Sequence, residues 1–72
     1  MMTNYVIWGI PPGLDEERVL VEKLDGDYII SLDVANEVAL HLELNKGVRY
    51  VRIQTIDMSD GVTGNFIKAI QV

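Results

Sequence analysis

Seventy-two residues hold one domain, and a chain of that size buries only about 60% of the surface it exposes when unfolded. No cysteine is present, so neither a disulfide nor a thiolate metal site can reinforce the core, and a hydrophobic content of 49% excludes an intrinsically disordered chain. Eleven acidic residues against six basic ones give a net charge of -5, which opposes general adhesion to phosphate backbones.

The charge is unevenly placed. Asp15, Glu16, Glu17, Glu22, Asp25, Asp27, Asp33, Glu37 and Glu43 face only Arg18 and Lys23 within residues 15–43, a net of -7. Residues 44–72 carry +2, from Lys46, Arg49, Arg52 and Lys68 against Asp57 and Asp60. The division suits a soluble surface, and an acidic half also steers toward a basic partner such as a nucleic-acid-handling protein. No apolar run approaches the roughly 18 residues that span a bilayer. Met1-Met2-Thr3-Asn4 lacks the basic n-region of a signal peptide. The expectation is a cytoplasmic protein with no membrane partner.

Asn4 to Ile10 predicts a strand, with Tyr5, Ile7 and Gly9 on one face and Val6, Trp8 and Ile10 on the other. Both faces are apolar, which places it centrally in a sheet. Pro11 and Pro12 lack backbone donors and end the ladder. Arg18 to Leu24 predicts a second strand. Asp25-Gly26-Asp27 supplies the positive φ values of a hairpin turn, and Tyr28 to Ile30 returns as a short strand.

Ser31 and Asp33 compete as N-caps of a helix that ends near Lys46, with Gly47 as its left-handed stop. Leu32, Ala35, Val38, Ala39 and Leu42 form the stripe that packs on the sheet. Leu40 and Leu44 fall on the polar side, one turn apart, as a small sticky spot that either lies under the C-terminal tail or meets another molecule. Val48 to Ile56 predicts another strand, with Val51, Ile53 and Thr55 inward and Tyr50, Arg52 and Gln54 toward solvent. Residues 57–64 are a turn-rich loop, and residues 65–72 suit either a last helical turn or an edge strand. The sum is an α+β fold, β-ββ-α-β: a three- to four-stranded, mostly antiparallel sheet with one helix on one face. Residues 1–57 form the domain, with 58–72 as a loop and tail packed on it or extending from it.

Chemical signatures are sparse. His41, the single histidine, sits mid-helix with neither a cysteine nor a His–acid motif beside it, so it reads as a partly exposed structural residue. Asp57-Met58-Ser59-Asp60-Gly61 resembles the start of a calcium loop but lacks the later acidic ligands and closing glutamate, and reads as a turn. Asp15-Glu16-Glu17 reads as a solvated loop, where nothing raises a carboxyl pKa. The Gly9–Gly13 loop has no lysine and is no phosphate cradle. The expectation is no enzyme, no cofactor and no metal. What remains is the sheet face that one helix leaves open. Tyr50 and Arg52, joined by Tyr5 or Trp8, carry residue types that stack bases and that also anchor protein interfaces.

The opening YVIWGIPPG, the acidic loop, the hairpin-like LDGDYIISL, one helix and the closing VRIQTID together resemble small uncharacterised proteins encoded in bacteriophage genomes. The resemblance is one of size and pattern over most of the chain and carries no catalytic signature. It implies a protein of the bacterial cytoplasm that binds a host machine and inhibits or redirects it, with RNA polymerase and CRISPR effector complexes as the expected targets. Candidate contact residues are Trp8, Tyr5, Tyr50, Arg52, Leu40 and Leu44. The alternatives are a single-stranded nucleic-acid-binding module on the open sheet face, or a homo-oligomeric accessory protein.

Overall fold

The strand that is apolar on both faces takes the inner position its sequence calls for. In the computed structural model, which describes residues 2–68, the chain runs β1 (Thr3–Ile10), β2 (Arg18–Val21), β3 (Lys23–Leu24), β4 (Asp27–Tyr28), α1 (Leu32–Asn45), β5 (Arg49–Asp57) and β6 (Thr63–Lys68). Four strands form one sheet in the order β2-β1-β5-β6, with every neighbouring pair antiparallel, and β3-β4 is a separate two-stranded hairpin. This is the α+β arrangement the sequence predicts, with one helix on a mostly antiparallel sheet.

Register builds the core. Ile7 lies opposite Val21 on one side and Ile53 on the other, and Ile53 lies opposite Ile67, so one apolar row crosses all four strands. Ile7 and Ile53 are fully buried. The helix lays Ala35 and Ala39 on this face; their small side chains let the helix approach the sheet, and Val38 and Leu42 pack at the margins. Leu32, expected in the same stripe, is exposed instead. The helical period fixes a direction about the axis, but burial also needs a partner at that height along it. Gly9 sits where Val48 and Leu20 close over β1: a Cβ there would lie 2.6 Å from Val48 Cγ1 and 3.0 Å from Leu20 Cδ1.

The turns follow their residues. Leu14 N–H donates to the Pro11 carbonyl (3.2 Å) with Gly13 at φ +82, as in a type II turn with proline second and glycine third. Asp25 and Gly26 both take positive φ (51 and 87) and close the β3-β4 hairpin. Ser31 caps α1 by accepting from the Val34 N–H, which decides between the two N-cap candidates. Beyond the helix, Lys46 and Val48 N–H both donate to the Leu42 carbonyl around Gly47, at φ +65.

Arg18 to Leu24, expected as one strand, is two. The pairing shifts between Ile7↔Val21 and Trp8↔Val19, leaving Leu20 as the extra residue of a β-bulge, and both Leu20 and Val21 pack against the core. The chain then leaves β1 at Glu22, forms the β3-β4 hairpin, and rejoins at Ile29, whose carbonyl accepts from Tyr5 N–H at 2.8 Å. The hairpin therefore projects from the edge of the sheet. At the other edge, residues 63–68 take the strand alternative and pair with β5. The rest of the tail, one suggested cover for Leu40 and Leu44, lies outside the described residues.

Candidate interaction surface

With α1 on one side, alternation along the strands sends Val6 and Trp8 (β1), Arg52 and Gln54 (β5) and Phe66 and Lys68 (β6) to the other. Register sets them in two rows across the sheet: Trp8, Arg52 and Lys68 in one, and Val6, Gln54 and Phe66 in the next. Val6 is buried although it lies on the face opposite α1.

These side chains are fixed to one another. Trp8 Nε1–H donates to Gln54 Oε1 at 2.9 Å, so the indole has its polar atom satisfied and its orientation set. Phe66 meets Trp8 edge-on, with centroids 6.3 Å apart and planes at 73°. The Arg52 guanidinium lies 3.8 Å from the Phe66 ring centre and 4.8 Å from that of Tyr50, a cation held between two aromatic rings. Its fork grips Glu17 in both carboxylate oxygens, Nε–H to Oε2 at 2.9 Å and Nη2–H to Oε1 at 2.5 Å. That bond raises the Arg52 pKa above its ordinary value against the opposing effect of burial. Arg49 adds a second clamp, donating from Nη2 to the Leu14 carbonyl at 2.7 Å. Two arginines of β5 thus tie residues 14–17 down on the sheet.

Tyr50 reaches this cluster through an unusual backbone. Trp8 pairs with Arg52 but Ile10 with Arg49, so β5 carries an extra residue here, and Tyr50 takes φ +55. A bulky side chain rarely adopts that region. The bulge keeps Val51 buried in the core while Tyr50 stands 60% exposed beside Arg52.

The structure brings together three of the six candidate contact residues, Trp8, Tyr50 and Arg52. Tyr5, expected as a possible fourth, lies on the helix-covered face and packs against the core; its odd-numbered register places it with Ile7. Leu40 and Leu44 lie on α1, on the far side of the sheet, the first half-buried and the second exposed. Three members of the cluster were absent from that set: Gln54, Phe66 and Glu17. Gln54 was legible from alternation alone. Phe66 needed the tail read as a strand along β5. Glu17, expected in a solvated loop, is half-buried and ion-paired with Arg52, while Asp15 and Glu16 are exposed.

Elsewhere, His41 is exposed and its Nδ1 lies 3.1 Å from Asn45 Nδ2, one turn along the helix. Asp57 and Asp60 spend their carboxylates on their own turn: Asp57 Oδ1 accepts from Ser59 N–H (2.9 Å) and Oγ–H (2.6 Å), and Asp60 Oδ1 from Val62 N–H (2.9 Å). The Ser59 bonds hold the Asp57 carboxyl below the usual carboxylate range. Among the described residues no three His, Asp or Glu side chains converge as metal ligands, and no helix is long and apolar enough to cross a membrane. Compared with known proteins, the chain matches no family model, no curated protein and no solved structure.

Proposed function

We propose that this chain is a non-catalytic binding protein that docks on another protein through the sheet face opposite α1, with Trp8, Tyr50, Arg52 and Phe66 at the contact. The observation that carries the proposal is the aromatic–arginine cluster on the sheet face opposite α1. Trp, Tyr and Arg dominate the energetics of protein interfaces. Here Gln54 and Glu17 already hold two of them in place, so a partner need not order those side chains on binding. The acidic first half favours a basic partner and speeds encounter with it. That fits a nucleic-acid-handling complex of a bacterial host, inhibited or redirected by the contact, with RNA polymerase and CRISPR effector complexes as the particular cases to try.

The test is capture from bacterial lysate with the wild-type chain beside Tyr50→Ser and Phe66→Ser. A stoichiometric protein retained by the wild type and lost by both variants supports the proposal. No such protein, or one retained equally by all three, overturns it. If the acidic surface imitates nucleic acid, the complex dissolves as salt rises, whereas a salt-insensitive complex excludes the mimicry.

Exposed Tyr50 and Phe66 beside a cation also suit single-stranded nucleic acid, whose bases stack on such rings. Two features weigh against that reading. The Arg52 fork is occupied by a carboxylate, and the net charge is -5. Titration with short single-stranded oligonucleotides decides it: unmoved β1 and β5 amides end this second reading.

A further inference from the structure

A separate surface lies where the β3-β4 hairpin meets the start of α1. Leu24, Tyr28, Ile29, Ile30 and Val34 line a trough of about 190 Å³, with Asp27 and Ser31 at its margin. Ile29 belongs to the core and forms the floor. The walls remain in water: Leu24, Tyr28, Ile30 and Val34 are between 37% and 56% exposed. These large apolar side chains gather around one depression, which gives an apolar anchor a place to leave water.

Charge selects the occupant. Asp27 lines the trough, and Asp25 and Asp33 directly adjoin the lining residues Leu24 and Val34. Glu22 and Glu37 extend the acidic surroundings along the chain. Lys23 is the one basic residue between Glu22 and Glu37, and its ammonium sits over the Tyr28 ring at 4.7 Å. A second copy of this chain, itself at -5, is repelled as a whole, and a nucleic acid would set like charges against that rim. A segment bearing lysine or arginine on either side of one apolar residue meets both requirements.

We infer that the trough binds a basic protein segment, seating one large apolar side chain against Leu24, Tyr28, Ile30 and Val34 while flanking cations pair with Asp25, Asp27 and Asp33. Its dimensions suit a single anchor residue, and the floor of core residue Ile29 makes the base of the site rigid. This surface is independent of the sheet face and rests on different residues.

The test uses the full chain, a Lys-rich peptide with one central Trp, and the same peptide with Ser in place of that Trp. In an NMR titration the Trp peptide should move the amides of Leu24, Tyr28, Ile30 and Val34 and leave those of Trp8 and Arg52 in place. The Ser peptide should bind at least about tenfold more weakly, and Ile30→Ser or Val34→Ser should weaken the Trp peptide to a similar degree. Both substitutions fall at exposed positions, and unchanged β5 amides verify the fold of each variant. Equal binding of the two peptides, shifts scattered over all the acids, an Ile30→Ser chain that binds like wild type, or no binding would each overturn the inference. None of these results touches the lysate experiment, which reads Tyr50 and Phe66.

Discussion

The sheet face and the hairpin trough both leave large side chains partly exposed, yet they are built on opposite plans. On the sheet face two polar groups are already paired, Trp8 with Gln54 and Arg52 with Glu17, Phe66 meets Trp8 edge-on, and Arg52 lies over the rings of Phe66 and Tyr50. The trough presents Leu24, Ile30 and Val34, whose side chains offer no polar atom to pair, beside Tyr28 under Lys23. A partner on the sheet face meets a pre-set geometry, and its gain there comes from shape and from the retained charge-assisted bonds. A partner in the trough gains mainly by removing apolar surface from water, roughly 25 cal/mol for each Å². The first plan favours selectivity, the second tolerance of any anchor of the right size.

The two surfaces share one core, and the largest expected effect removes both. Ile53→Ala should cost about 2–5 kcal/mol, since a fully buried Ile at the centre of the apolar row leaves a cavity. Against a total that is small for any domain of this size, urea denaturation should show little folded protein left. Gly9→Ala should act next, at about 1–3 kcal/mol, because its Cβ would press on Val48 and Leu20. That strain arises opposite the β5 bulge, so amide shifts should concentrate around Tyr50 and Arg52 and spare Ile30 and Val34. Equal shifts at both surfaces would show that the two are mechanically coupled.

Tyr50 separates stability from binding. At φ +55 a tyrosine is strained, and Tyr50→Gly should relieve roughly 1 kcal/mol, less what the lost ring contact with Arg52 contributed. The variant should unfold at equal or higher urea while losing at least about tenfold in affinity for a sheet-face partner. The trough peptide should bind it unchanged. A Tyr50→Gly chain that is destabilised and still binds the partner would show the bulge to be a packing device and no part of the contact.

What could be read from sequence alone follows a physical divide. Features set by a residue's own backbone preferences were legible: the Asp25-Gly26 turn and the Gly47 stop form where positive φ places them, and the cap falls on Ser31, one of two candidates. The inner place of β1 was legible too, because apolar residues on both faces leave no solvent side. Features decided by contact between distant segments were not. The break at Glu22 depends on a bulge that packs Leu20 and Val21 together on the core. Glu17 finds its partner 35 residues away, a distance no local pattern encodes. The trough combines the hairpin with the first turn of α1, and Ile30 looked like one more strand residue. Trp8 and Arg52 came together because alternation in two long strands survives intact, whereas Tyr5 obeys the same alternation and goes to the other face.

The smallest effect concerns acid and distinguishes the surfaces by position. Asp57 holds the turn between β5 and β6 through its bonds from Ser59, and those bonds lower its pKa in the folded chain. A carboxyl with a depressed folded pKa binds its proton more readily when unfolded. Its contribution to stability is therefore fully present above the unfolded value, about 3.9, and is lost as pH falls through the lower folded value. The turn sets the start of β6, the strand that carries Phe66; it shares one depression with Tyr28 of the hairpin, but the Asp57 carboxylate bonds run to Ser59 alone. On acidification, hydrogen exchange should quicken at residues 59–66 ahead of residues 24–34. Asp57→Asn should remove that difference, because its amide does not titrate. If residues 24–34 open first in the wild type, the hairpin is the weaker element, and the trough would need its occupant to become ordered.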